Sequence, residues 1–426
     1  MDNDQQNSSK NFKRQNRFLK LYYTTIMNIF VVNSGSSSIK YELIEMPSEK
    51  VVCSGIVERV GKDDADIIHK TFKDGKEQVK KQQMKIADHA EGLKKVAALL
   101  TDKEIGVIKH ASEIDVVGHR VVHGGETFTA TTIITQKVKD EIKNLFALAP
   151  LHNPPNYIGI EVTEKLFATA KQVAVFDTAF HQTIPAEAFR YAIPPKFYKE
   201  NKIRVYGFHG TSHKYVSGKA IEYLKKENSK IITIHLGNGC SMTAVKDGKS
   251  IDTSMGFGPM NGLIMGTRAG DIDQSVIFYL TDQLGYTADQ VKNMLNYEAG
   301  MTGLTGHNDM RDVIAKIENG DKEALLAYQM YAYRIRKYIG AYAAALNGLD
   351  AIVFTGGIGE NDKLMRKLCS SSLEYLGIQF NEEKNNSSLK VIREINTENS
   401  RVRILVIPTN EELEIAMQCY HLLNLM

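Results

Sequence analysis

The chain has 426 residues, enough for two or three domains, and its 43% hydrophobic and 24% charged residues are the balance of an ordinary soluble protein. A formal net charge of +3 excludes the strongly basic character of chains that bind nucleic acid or acidic membranes. Four widely spaced cysteines, Cys53, Cys240, Cys369 and Cys419, form no CxxC pair, which fits free thiols in a reducing cytoplasm better than disulfides or zinc. No apolar run is long enough to span a bilayer.

Residues 1–20 are polar and basic, and a more apolar stretch begins at Leu21. A signal peptide has the same order, but here the apolar part runs straight into the first strand, and cleavage would truncate it. The expectation is a disordered extension over 1–26 and a domain that begins at Met27.

Asn28–Val32 is apolar and β-branched enough for a buried strand, and Ile39–Ile44 alternates as a second. Between them lies Asn33-Ser34-Gly35-Ser36-Ser37-Ser38, with Lys40 just beyond. Successive backbone N–H groups and hydroxyls in such a turn can cradle phosphate oxygens; an ordinary Ser/Gly hairpin is the alternative. It is not a Walker A loop, because GxxxxGK[ST] is absent and a strand follows instead of a helix. Strands over Lys50–Val60 and Asp66–Phe72, a turn at Asp74-Gly75, a polar strand Gln78–Ile86 and a helix His89–Leu100 read as scaffold.

Asp115–Val117 is a buried strand that enters Gly118-His119-Arg120-Val121-Val122-His123-Gly124-Gly125-Glu126. Arg120 presents a planar fork suited to carboxylate or phosphate, unless it serves a surface ion pair. An amphipathic helix Lys137–Ala149 is stopped by Pro150, a proline-stiffened loop Leu151–Asn156 follows, and then a helix Tyr157–Phe167. Strand Gln172–Phe176 delivers Asp177 at its carboxyl end, where it either orients a substrate or caps a helix. Gly207 and Gly210 allow an irregular backbone around Phe208-His209, and Ser212 can cap a helix His213–Leu224. His209 can donate to a phosphoryl oxygen or simply bond within its loop.

Lys230–Val245 repeats the opening pattern: strand Ile231–Ile234, turn His235-Leu236-Gly237-Asn238-Gly239, strand Ser241–Val245 and a tight turn at Asp247-Gly248. Two such units point to an internal duplication. Two hairpins facing each other across a cleft could hold a polyphosphate, the arrangement of a two-domain nucleotide phosphotransferase. The Gly-rich loop Asp252–Asp273 carries a single basic residue, Arg268, suited to an anionic group, and Asp271 and Asp273 begin the next helix. Thr287–Leu295 reads as helix, Met301–His307 as a flexible loop, and a further helix starts near Asp309. The Ala/Tyr-rich helix Lys322–Leu346 has apolar faces wide enough for a subunit interface or for core burial. Strand Ala351–Phe354, the Gly-rich loop Thr355–Asn361 and a helix suit close approach of a nucleotide. Strand Val402–Ile407 leads to a terminal helix capped by Thr409 or Asn410.

The segments NSGSSSIKYELI, GHRVVHGGE, LHNPPN, FDTAFH, YGFHGTSH, HLGNGCS, MGTRAGDID, FTGGIGEN and PTNEE, in this order, resemble the acetate kinase family from Met27 onward. That family belongs with actin, sugar kinases and the heat-shock chaperone ATPase domain. The resemblance implies an α/β protein of two ribonuclease-H-like domains, 27–179 with 409–426 and 180–408, flanking a catalytic cleft. It also implies a cytoplasmic homodimer that uses ATP/ADP with Mg2+ (or Mn2+) and acetate, with no nucleic-acid or membrane partner. Residue by residue, it gives Arg120, Asp177, His209 and Arg268 catalytic roles, Arg120 also holding the acetate carboxylate. Val122, Leu151, Phe208 and Pro259 would surround the methyl group, and Asn33 and Glu411 would support the metal. ATP would be held by Ser36, Ser38, Lys40, His235, Leu236, Gly237, Asn238, Gly239, Asp309, Met310, Arg311, Gly357, Ile358, Gly359, Glu360 and Asn361. The loop usually written GFTPLEGL reads Gly256-Phe257-Gly258-Pro259-Met260-Asn261-Gly262-Leu263 here, and Ala269 replaces a usual serine; both departures bear on acyl-chain preference. A propionate kinase is the near rival. A non-enzymatic actin-like or chaperone-like ATPase switch is the distant one, and it would need no arginines for a second substrate.

Overall fold

The first strand, β1 (Met27–Ser34), is buried on both faces from Ile29 to Val32, as a central strand must be. The computed structural model describes residues 25–73 and 75–425. The expected extension therefore lies outside the described residues up to position 24, as does Asp74 of the expected hairpin turn. β2 (Ser38–Met46) and β3 (Lys50–Glu58) continue antiparallel from β1, followed by β4 (Ala65–Lys73) and β5 (Lys76–Met84). On the other side of β1, β6 (Val116–Val121) and β8 (Lys171–Phe176) run parallel to it, and the short β7 (Thr132–Ile133) closes the edge. The sheet order is β5-β4-β3-β2-β1-β6-β8-β7. The exposed, lysine-rich β5 blunts the opposite edge against further pairing.

A second sheet repeats this plan. β9 (Lys230–Leu236), β10 (Cys240–Lys246) and β11 (Lys249–Thr253) form an antiparallel meander. β12 (Ala351–Thr355) and β14 (Arg403–Val406) then run parallel to β9, with β13 (Arg393–Glu394) at the edge, in the order β11-β10-β9-β12-β14-β13. In both sheets an antiparallel meander, of five strands in the first and three in the second, is extended by two parallel strands beside its first strand. That shared topology is the ribonuclease-H-like plan expected of each half, and the duplication read from the two Gly/Ser turns is real at the level of strand order.

Each sheet belongs to its own compact unit. The first takes the chain through Gly124, Ala130–Phe176 and the part from Glu412 onward; the second takes Gly125–Thr129 and Asp177–Glu411. In the first, helix His89–Leu100 lays Leu93, Val96, Leu99 and Leu100 onto a core with Phe30, Val32, Ile39 and Val57. The terminal helix Glu411–Asn424 packs so close to β6 that a Cβ on Gly118 would lie 2.9 Å from Cys419 Sγ and from Ile415 Cγ2. In the second, Val216 and Ala220 of helix Gly210–Leu224 cover Ile231, Val353 and Leu405.

Several elements differ from expectation. The prolines of Leu151–Asn156 do not stiffen a loop; the helix starts at Asn153 and takes them in its first turn, where a missing N–H costs nothing. The preceding helix stops at Asn144 and loosens into a short 3-10 turn, Leu145–Ala147. Met301–His307 is not a flexible loop, because a helix spans Gly300–Thr305. Its first-turn N–H groups at Met301 and Thr302 donate to Met265 O (2.9 Å) and Gly266 O (2.8 Å), so a distant loop supplies the cap that the local sequence lacks. The Gly-rich segment after β12 is itself helical from Gly356 to Asn361. Asp273 caps its helix as expected, accepting from Ser275 N, whereas Asp271 accepts from Gly262 N and Tyr338 Oη instead.

Candidate active site

In the first unit the groups singled out by sequence gather where β1 and β6 end. Arg120 Nη1 donates to Asn33 Oδ1 at 3.1 Å, so the guanidinium is steered by the residue that opens the serine turn. Lys40 sits opposite Asn33 across the β1–β2 hairpin, and its side chain is exposed. The turn is tight: Gly35 N donates to Ser38 O, His89 Nε2 is paired with Gly35 O at 2.7 Å, and Ser36 is exposed.

Two asparagines that sequence reasoning passed over hold this corner. Asn153 clamps the His123 backbone from both sides, its Oδ1 accepting from His123 N and its Nδ2 donating to His123 O, each at 3.0 Å. Asn156 accepts from Val122 N and donates to Ser34 O. Gly159 lets their helix approach, since a Cβ there would lie 2.9 Å from Ser34 Oγ. Of the expected methyl-pocket residues on this unit, Val122 is buried and Leu151 is 53% exposed.

In the second unit, helix Gly210–Leu224 organises the cluster. His209 precedes it with φ +57°, after Gly207 at φ +74°, so the irregular backbone expected around Phe208-His209 is present. Such a conformation is unfavourable for a side chain with a Cβ and persists only where its surroundings enforce it. The helix begins three residues earlier than expected, so Ser212 is not its cap. Ser212 Oγ instead pairs with His235 Nδ1 (2.8 Å) and Thr409 Oγ1 (2.9 Å). Asp177 is nearly fully buried and is not a helix cap either: its Oδ1 accepts from Thr211 Oγ1 at 2.9 Å.

The His209 and His235 rings lie 4.6 Å apart, and a Cβ on Gly239 would be 3.3 Å from His209 Nε2 and 3.7 Å from Arg268 Nη1. The Gly-rich turn therefore brings an imidazole edge and a guanidinium to one spot. Arg268 is fixed there by donating to Pro259 O at 2.8 Å, and burial lowers its pKa, which favours pairing with an anion over lasting isolation. Behind His209 runs a buried chain of contacts. His209 Nδ1 is paired with Ser241 Oγ (2.8 Å), Ser241 Oγ with His213 Nε2 (2.7 Å), and His213 Nδ1 with Thr233 Oγ1 (2.7 Å). No periodicity marks Ser241 or Thr233; only their place on neighbouring strands β9 and β10 does.

The expected nucleotide-binding residues are spread over this unit. Leu236 is buried, and Gly356, at φ +78°, packs so closely that a Cβ would lie 2.7 Å from Leu236 O. Asn238 lies against Gly266, where a Cβ would meet its Oδ1. Gly357 and Asn361 are exposed, whereas Glu360 turns inward, its Oε1 accepting from Gly356 N and Thr409 N. Asp309 caps the helix Met310–Glu318 and pairs with the exposed Arg311, while Met310 is buried. Among the described residues no group of three or more His, Cys, Asp or Glu side chains is placed to hold a metal ion.

A profile of the acetokinase family matches residues 28–417. The acetate kinase of Flavobacterium johnsoniae is 62% identical over 398 residues, spanning 93% of this chain and all 100% of that protein. Among solved structures, Porphyromonas gingivalis acetate kinase is 41% identical with a TM-score of 0.87, covering 93% of this chain and 100% of that one. A propionate kinase from Francisella tularensis subsp. tularensis SCHU S4 is 43% identical with a TM-score of 0.84, covering 92% and 98%.

Proposed function

The chain belongs to the acetokinase family, and on that premise we propose that it is an acetate kinase, moving the γ-phosphoryl group of ATP reversibly and in line onto acetate to give acetyl phosphate and ADP. A carboxylate is already nucleophilic, so this transfer needs no strong base. The barrier is the approach of two anions, which oriented donors and cations relieve. Arg120 receives the acetate carboxylate, held in orientation by Asn33. His209 and Arg268 stabilise the transferring phosphoryl group, and Asp177 acts as acid/base or orienting residue. Val122, Leu151, Phe208 and Pro259 enclose the methyl. Ser36, Ser38, Lys40, the turn at residues 235–239, Asp309, Met310, Arg311 and the segment 357–361 hold ATP. The observation that carries this reading is the convergence of the His209 Nε2 edge and the Arg268 guanidinium on Gly239.

The metal is Mg2+, supported by Asn33 and Glu411. Mg2+ keeps several waters and takes only one or two protein oxygens beside phosphate oxygens, which matches a neutral amide and one carboxylate. Bound there, it would neutralise phosphate charge. A homodimer fits the exposed apolar residues Leu325, Leu326, Met330 and Tyr333 on helix Lys322–Ala345 and Val276, Phe278 and Tyr279 on helix Gln274–Asp282. A cytoplasmic location fits four free, buried cysteines; among the described residues, no helix is long and apolar enough to cross a membrane.

The test is hydroxamate trapping of acetyl phosphate from ATP, Mg2+ and acetate. Acetate-dependent product is expected, with kcat/KM for acetate above that for propionate. The reverse order would make the chain a propionate kinase, and ATP turnover indifferent to either acid would make it a nucleotide switch.

A further inference from the structure

The contacts behind His209 raise a question of protons. His213 is fully buried, and burial, with His181 and His235 nearby, holds its pKa far below the usual histidine range. It is therefore neutral and carries one N–H. Ser241 Oγ has a single proton and stands between two imidazoles, 2.8 Å from His209 Nδ1 and 2.7 Å from His213 Nε2. With His209 neutral as well, and the Ser241 proton shared between the two imidazoles, two arrangements fit these contacts. In one, Thr233 donates to His213 Nδ1, His213 Nε2–H to Ser241, and Ser241 to His209 Nδ1, leaving the His209 proton on Nε2. In the other, every proton is reversed, and His209 carries its proton on Nδ1.

The distances distinguish the two. In the reversed arrangement the Thr233 hydroxyl must turn to Thr243 O at 3.4 Å, a poor bond, whereas in the first it donates across the 2.7 Å contact to His213. We propose that Ser241 and His213, anchored by Thr233, are positioning residues that hold neutral His209 in the Nε2–H tautomer, so that it donates to the phosphoryl group without needing a positive charge. This assignment rests on the phosphotransferase reading for its purpose, but the tautomer itself is a property of the folded chain alone.

Long-range 1H–15N spectra of the imidazoles in the full, uniformly 15N-labelled protein decide it, with the His209 signals assigned by their loss in His209→Gln. The expected result without substrate is a protonated Nε2 and a bare Nδ1 on His209, and the same pattern on His213. Ser241→Ala should give a mixture of His209 tautomers and lower kcat about tenfold, the loss of one oriented hydrogen bond, with KM for ATP and acetate nearly unchanged. Ser241→Thr, which keeps the hydroxyl, should restore both. A wild-type His209 bearing its proton on Nδ1 overturns the proposal, as does a Ser241→Ala protein with wild-type tautomer and kcat. If Ser241→Ala does not fold, the wild-type spectrum still decides. An Nε2–H tautomer in a protein without acetate-dependent turnover would uphold the relay and sink the functional reading.

Discussion

Gly210→Ala is the substitution that best probes how the second unit places its reactive groups. A methyl at position 210 would lie 1.9 Å from Asp177 O and 3.1 Å from Phe180 Cβ. The obstacle at Asp177 is backbone, not the tip of a flexible side chain. Helix Gly210–Leu224 and the backbone at Asp177 must therefore separate by about 1.5 Å to reach ordinary contact, at about 1–3 kcal/mol for a strained core insertion. The displacement falls directly on Asp177 and on His209, which adjoins Gly210. A shift of about 1 Å in such groups costs roughly 10²-fold in rate. Gly218 on the same helix is the matched control, because it is exposed and a Cβ there meets nothing within 4 Å. Gly218→Ala should leave kcat intact and stabilise by about 0.5–1 kcal/mol. Steady-state acetyl phosphate formation and urea unfolding read both variants. A Gly210→Ala protein with wild-type kcat and unfolding midpoint would refute the claim that close backbone contact at this glycine sets the geometry.

Arg120→Ala should remove most activity and raise KM for acetate by about 10–100-fold, the worth of a charge-assisted hydrogen bond; Arg120→Lys should recover little of it, lacking the planar fork, and unchanged kinetics would take Arg120 out of the site. Stability should fall as pH drops from about 6.5 to about 4. Burial lowers His119, His123 and His181 to about 4, and burial together with Lys80 does the same for His69, so the unfolded chain binds protons in that window that the folded chain refuses. Glu42, pushed up to about 7 by burial and Glu412, and Asp252, pushed up to about 6 by burial, oppose this in part; a denaturation midpoint that is flat or rising toward acid would contradict the balance. Cys53, Cys240, Cys369 and Cys419 are buried free thiols whose pKa values burial raises, so a thiol reagent at neutral pH should label none of them until denaturant is added.

What could be read along the chain was whatever neighbours in sequence decide for themselves. The apolar runs of β1 and β9, the Ser/Gly turns after them and the amphipathic helix His89–Leu100 each carry their own signal, and the structure has all of them. Arg120, His209 and Arg268 stood out because basic groups beside glycines are conspicuous, and His209 and Arg268 do meet at Gly239. What stayed hidden depends on partners far along the chain. Helix Gly300–Thr305 exists because Met265 and Gly266 supply acceptors for its first turn, so no local pattern announces it. Asp177 looked like a helix cap or a substrate ligand, and the fold pairs it with Thr211 across 34 positions. Ser241 and Thr233 are ordinary strand residues until pairing of β9 with β10 sets them beside His213. Hydrophobic periodicity is written in consecutive residues, but a hydrogen bond between distant side chains leaves no such trace, and only the closed sheet brings its two ends together.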